Sequence, residues 1–353
     1  MMPRTFLILI VLLAACASER ASAPQAADGV TALIIKVADR QLAHPVHDDT
    51  DWKNGVMYAG VMAAYEATGE RRYLDALRAM GDRNSWQLGP ELRLADDHCI
   101  GQTYAGVYFA TRDPKTIAPM RRTFDALAAD PRPGRVDWSW CDSLFMAPAA
   151  WARLSTATGD RKYLDRMDAM WWDTTDFLYD RNERLFFRDA KFFAAREANG
   201  AKVFWCRGNG WVLAGLVRVL EHLPPDYTSR ERYLQLYRAM AGRVASLQQP
   251  DGFWRSSLLD PEAYPGGESS GTALFTYALA WGVNRQVLAA DVYRPVVAKG
   301  WKALVGAVDR DGRVGWVQKP DERPNAVQAV DTETYGTGAF LLAASEVLRL
   351  PPD

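Results

Sequence analysis

The chain has 353 residues, a formal net charge of −1 and 48% hydrophobic residues. That balance excludes a disordered polymer and a polybasic nucleic-acid binder, and it leaves ample apolar material for a core. The 13 Trp and 14 Tyr suit either stacking surfaces or a large aromatic interior.

Arg4 precedes an apolar run from Phe6 to Ala15, too short to span a bilayer but the right length for the apolar region of an export signal. The run ends Leu13-Ala14-Ala15-Cys16, a lipobox-like sequence, with Ala21-Ser22-Ala23 as a competing ordinary cleavage site. The expectation is a lipoprotein-type signal and tether over 1–23, export to the periplasm or outer membrane with a lipid on Cys16, and one domain over 24–353. No later stretch holds 18 consecutive apolar residues, so no transmembrane helix is expected.

Beyond the leader, polar clusters alternate with helical patterns. Asp51-Trp52-Lys53-Asn54-Gly55 enters a segment rich in Ala, Gly and aromatics; Tyr73, Leu74, Leu77 and Met80 then recur at amphipathic helical spacing. The alternation continues through Asp96-Asp97-His98, Asp142-Ser143-Leu144, an amphipathic run at Tyr163, Leu164, Met167 and Met170, Arg207-Gly208-Asn209-Gly210-Trp211, and another run at Tyr233, Leu234, Tyr237 and Met240. Glu268-Ser269-Ser270-Gly271-Thr272 and Glu333-Thr334-Tyr335-Gly336-Thr337 repeat one pattern at a 65-residue offset. Thr68-Gly69-Glu70 and Thr158-Gly159-Asp160 each supply a terminating glycine followed by an acidic residue suited to the next helix. Six apolar helices entered through polar clusters, alternating with six amphipathic ones, predict an all-α fold, a closed (α/α)6 barrel of six helical hairpins. An open solenoid is the alternative. It does not explain why every inner helix begins with a polar cluster, as though the clusters share one mouth.

Asp142 sits among aromatic and apolar residues, from Trp138 and Trp140 to Phe145 and Met146. Such surroundings disfavour the charged carboxylate and suit a general acid. Asp96 and Asp97 open the preceding repeat, a barrel neighbour whose charge would separate the carboxyl pKa values further. Arg207 and Trp211, four residues apart, can share a helical face near its positive end and suit an anionic sugar ring; Arg207 could instead pair with Asp142. N-capping by Asp, Ser and Thr is the bland reading of the clusters, but it calls for neither the tryptophans nor the arginine. His98 reads equally as a ligand contact or a core histidine, while His44, His47 and His222 read as structural or exposed. Cys99, Cys141 and Cys206 imply no disulfide framework. No zinc spacing, phosphate loop or Gly-x-Ser-x-Gly elbow occurs, so no metal and no cofactor is implied.

Taken in order, Asp51-Trp52-Lys53-Asn54-Gly55, Asp96-Asp97-His98, Trp140-Cys141-Asp142-Ser143-Leu144-Phe145-Met146, Arg207-Gly208-Asn209-Gly210-Trp211 and Tyr277-Ala278-Leu279-Ala280-Trp281-Gly282-Val283 resemble glycoside hydrolase family 105. These are the unsaturated rhamnogalacturonyl hydrolases, related to the unsaturated glucuronyl hydrolases of family 88. The resemblance runs along nearly the whole mature chain and implies the same (α/α)6 barrel. It also implies hydration of the C4=C5 double bond that a polysaccharide lyase leaves on a terminal uronic acid. Asp142 would protonate C4 and then, as conjugate base, activate water for C5; Asp97, with Asp96 as the alternative, would be the second carboxyl. Trp140, Trp211, Arg207, Asn209 and His98 would bind the sugar. In the segment where the family commonly places a histidine, this chain has Phe186-Phe187-Arg188-Asp189, which makes Arg188 a further contact.

The expected partner is an unsaturated uronyl oligosaccharide, with no nucleic acid, and with membrane association only through the lipid. Alternatives are an unsaturated glucuronyl hydrolase acting on other fragments, a sugar epimerase, a purely structural barrel, and a non-catalytic glycan-binding lipoprotein. The last would bind lyase products without consuming them.

Overall fold

A computed structural model describes residues 27–351, and the lipobox, Cys16 and the Ala21-Ser22-Ala23 site lie outside them. The chain forms α1 (27–43), α2 (Trp52–Thr68), α3 (Arg71–Arg83), α4 (Gly101–Thr111), α5 (Ala118–Ala129), α6 (Pro148–Thr158), α7 (Lys162–Leu178), α8 (Cys206–Leu220), α9 (Arg230–Ala245), α10 (Ser269–Asn284), α11 (Ala290–Gly306) and α12 (Thr334–Leu348). Even-numbered helices form the inner ring and odd-numbered ones the outer. The ring closes where α12 packs on α2, which settles the choice between barrel and solenoid.

The two rings differ as their sequences do. In α3 only Tyr73, Leu74, Leu77, Met80 and Gly81 are buried, whereas every residue of α8 is buried. An inner helix has neighbours on all sides, so an apolar stripe gives way to small and apolar residues all round. Where the ring closes, α2 and α12 meet at Gly60 and Gly338; a Cβ on Gly60 would stand 2.5 Å from the Gly338 carbonyl oxygen. The three cysteines serve the same close packing. All are free and buried, and Cys99, Cys141 and Cys206 pack against Gly55, Gly208 and Gly271 respectively, each on an adjoining inner segment.

The ends follow local chemistry. The Asp51 side chain accepts the Lys53 amide at 2.8 Å to cap α2, and Gly69 ends it at φ 74°, a conformation that suits a residue without Cβ. Two inner helices are preceded by a separate short turn. A short turn Ala95–His98 precedes α4, and Ser143–Met146 precedes α6, whose Pro148 cannot donate the hydrogen bond that would continue the first turn. Two long connections also depart from simple hairpins. Between α7 and α8, an antiparallel pair, β1 (Tyr179–Asp180) and β2 (Leu185–Phe186), begins an excursion that delivers Arg188. Between α11 and α12 the chain from 307 to 333 crosses the end of the barrel at which α8 and α10 begin. No helix among the described residues is long and apolar enough to cross a membrane.

Candidate active site

The N-terminal ends of all six inner segments gather at one pole, carrying Asp51, Asp96, Asp142, Arg207, Glu268 and Glu333. Helix N-termini present unpaired amides and a positive field, which stabilises carboxylates and attracts anions. Glu268 is fully buried as such a cap, accepting the Ser270 and Gly271 amides at 3.1 and 2.7 Å, and it also accepts the Gln318 amide at 3.3 Å. Glu333 pairs with His47 at 3.0 Å.

Asp142 opens the turn Ser143–Met146, and the preceding residue is tied down by a 2.8 Å hydrogen bond from the Cys141 amide to the Arg188 carbonyl. Its side chain is buried, receives the Cys141 thiol at 3.5 Å, and has Arg188 Nε 3.7 Å away. Burial pushes this carboxyl above the ordinary range, against the pull of Arg188 and Arg207. Asp96 is pushed up to about 7, first by burial and then by the charge of Asp142. Desolvation makes both carboxyls hold a proton more tightly than an exposed carboxyl does, the condition a general acid needs.

The raised Asp96 has a consequence for stability. A carboxyl whose folded value exceeds its ordinary 3.8 destabilises the folded chain progressively as pH rises between about 4 and about 7, because the unfolded chain releases the proton more easily. Asp96→Asn is therefore expected to melt a few degrees above the wild type at pH 8 and together with it near pH 4, read by thermal unfolding at the two pH values. An equal offset at both would show that Asp96 is not elevated.

The second carboxyl is where the sequence reading needs correction. Asp96, not Asp97, interacts with Asp142; the Asp97 side chain accepts the Glu91 amide, and its carbonyl accepts the Gly89 amide. Its carboxyl packs so closely on Gly89 that a Cβ there would collide with it. Adjacent helical residues point about 100° apart, so only one of the pair faces the barrel axis.

Four of the expected sugar contacts make structural contacts within the barrel. Trp211 is fully buried between Phe145 and Tyr335, with ring centroids at 4.8 and 6.4 Å. Asn209 is fully buried and pins β2 to α8, accepting the Phe186 amide at 2.8 Å and donating to the Phe186 and Trp205 carbonyls at 3.0 Å each. His98 hydrogen bonds through Nε2 to the Leu92 carbonyl at 2.9 Å and packs on Phe124; burial lowers it to about 4, the neutral core histidine. Arg207 Nη1 and Nη2 donate to the Gln318 and Lys319 carbonyls at 2.7 and 3.1 Å, with Trp205 and Tyr335 on its faces at 4.3 and 4.9 Å.

Trp140 and Arg188 remain partly exposed at the mouth, beside the partly exposed Asp96. Sequence reasoning did not single out Trp52, which is half-buried and stacks on Tyr335 at 5.1 Å, nor Glu322, which reaches Arg188 and Lys191. Trp52 stands in the polar cluster that begins α2 and could have been found there. Glu322 lies in the irregular run Lys319-Pro320-Asp321-Glu322-Arg323, where no periodicity marks it. Among the described residues, no three His, Cys, Asp or Glu side chains converge as metal donors.

Comparisons with known proteins agree with the helical barrel. Residues 27–351 match the profile of Glycosyl Hydrolase Family 88. An unsaturated 3S-rhamnoglycuronyl hydrolase of Formosa agariphila is 40% identical over 344 residues, covering 91% of this chain and 91% of the relative. A solved family 88 glycosyl hydrolase from Bacteroides vulgatus is 33% identical with a TM-score of 0.87, covering 92% of this chain and 99% of that one. A solved structure named as a polysaccharide lyase is 35% identical, also with a TM-score of 0.87, covering 92% and 98%.

Proposed function

Since the chain belongs to glycosyl hydrolase family 88, we propose that it hydrolyses unsaturated uronyl oligosaccharides by adding water across the C4=C5 bond of the terminal residue, with Asp142 as the proton donor. The observation that carries the reading is the pair Asp142 and Asp96, two mutually repelling carboxyls kept above their ordinary range at the positive ends of the inner helices. Asp142 gives its proton to C4 of the electron-rich alkene. The carboxylate left behind takes a proton from a water that adds to C5, and the hemiketal formed rearranges to expel the aglycone. Glycosidic cleavage is thus indirect, and the spacing rules for two-carboxylate displacement do not apply. Asp96 holds the second proton and the water; Trp140 and Trp52 give the ring apolar faces, and Arg188 meets its anionic group.

The name of the Formosa relative favours a rhamnose-linked uronyl substrate. A lyase reading follows from the name of one solved neighbour, but elimination needs a base to remove the C5 proton. Burial raises both carboxyls above the ordinary range, which suits proton donation to an alkene, and His98 is engaged with the Leu92 carbonyl. Incubation with lyase-generated disaccharides decides between the readings. A hydrolase removes the ultraviolet absorbance of the conjugated alkene, a lyase creates it from saturated polymer, and a binding protein leaves it unchanged. Export with lipid attachment at Cys16 belongs to the same proposal; labelled palmitate should enter the protein and be lost in Cys16→Ser.

A further inference from the structure

The excursion between α7 and α8 and the connection into α12 meet beside the acid. Arg188 Nη1 lies 2.6 Å from Asp189 Oδ2 and 3.5 Å from Glu322 Oε2, and Lys191 Nζ reaches the same Glu322 oxygen at 3.2 Å. The other edge of the guanidinium differs: Nε is buried, makes no hydrogen bond, and stands 3.7 Å from Asp142 Oδ2. A buried guanidinium N–H that close to a carboxyl would gain a charge-assisted hydrogen bond by moving less than about 1 Å. Its distal end lies against two acids, Asp189 and Glu322.

We propose that Glu322 is a positioning residue which, together with Asp189, restrains Arg188 so that its Nε–H stays one hydrogen bond short of the Asp142 carboxyl. The inference rests on the hydrolase reading for its purpose. An Arg188 closed onto Asp142 would lock it as a carboxylate, useless as an acid toward the alkene. The groups facing Asp142 are Asp96, Arg188, Arg207 and the Cys141 thiol, and those facing Arg188 are Asp142, Asp96, Asp189, Glu322 and Cys141. Glu322 is the member of this set that comes from the α11–α12 connection, and its side chain is 43% exposed, so it can be changed without disturbing the core. An exposed ion pair contributes little to stability, and its effect must therefore be read at the acid it controls.

Glu322→Gln keeps the shape and removes the charge. In a crystal structure of that variant, Arg188 should donate to Asp142 at about 2.9 Å. In the pH dependence of kcat/KM, the limb on which activity falls as Asp142 ionises should move about one unit lower. Arg188→Met should move that limb upward, and the double variant should follow Arg188→Met, because Glu322 acts through the arginine. An Arg188 to Asp142 spacing still at 3.7 Å, or a Glu322→Gln shift that persists in the double variant, overturns the proposal. A wild type that consumes no unsaturated substrate refutes the hydrolase reading instead, and the crystallographic spacing then decides the positioning alone.

Discussion

Asp142→Asn is expected to lower turnover of an unsaturated uronyl disaccharide by at least about 1000-fold, because the same carboxyl donates the proton to C4 and then accepts one from water. Asparagine keeps the shape and can still accept the Cys141 thiol, but it can neither give nor take a proton. Stability should not suffer. The wild-type carboxyl is desolvated and raised, so the amide removes an unfavourable buried acid, and the variant should melt at or above the wild type at pH 8. Loss of activity with an unchanged or higher melting temperature is the combination that identifies a reacting group. The measurement pairs the disappearance of alkene absorbance with thermal unfolding, and turnover within tenfold of wild type would remove Asp142 from the chemistry.

The barrel was legible in the sequence because its two rings obey different periodicities. Tyr73, Leu74, Leu77 and Met80 mark one stripe of an outer helix, while Ser269 to Val283 of α10 has no polar face because it has no solvent face. Asp142 was legible for a related reason, since an acid set between Trp140 and Phe145 has nowhere wet to go. What the sequence did not show was the step from motif to contact. Arg207, Asn209 and Trp211 form a conspicuous cluster at a helix start, but their partners are Gln318, Lys319, Phe186 and Tyr335, brought in by two irregular connections that no local pattern reveals. The choice between Asp96 and Asp97 depends on rotation of a four-residue turn, which neither composition nor spacing fixes. Glu322 is the same failure reversed, a residue of no local distinction placed by a crossing chain beside the arginine that faces the acid.

Arg207→Met provides the opposite signature to Asp142→Asn. Arg207 is 1% exposed, and its guanidinium lies between the rings of Trp205 and Tyr335 and satisfies the carbonyls of Gln318 and Lys319. Tyr335 also donates its hydroxyl to the Gln318 carbonyl, and the Gln318 side chain accepts from Trp205 Nε1 at 2.8 Å, so one arginine sits at the centre of the joint between α8, α12 and the crossing chain. Methionine fills part of the volume but leaves the Lys319 carbonyl without that donor and removes two charge-assisted hydrogen bonds, a loss of about 2–4 kcal/mol. The expected result is a melting temperature lower by several degrees at every pH, with activity recovered in part when the assay is cooled. Arg207→Lys should not restore the melting temperature, since an ammonium cannot span both carbonyls while lying flat between two rings. A sugar-binding arginine would behave otherwise. Its loss would raise KM while the melting temperature held, and that outcome would return Arg207 to the substrate site.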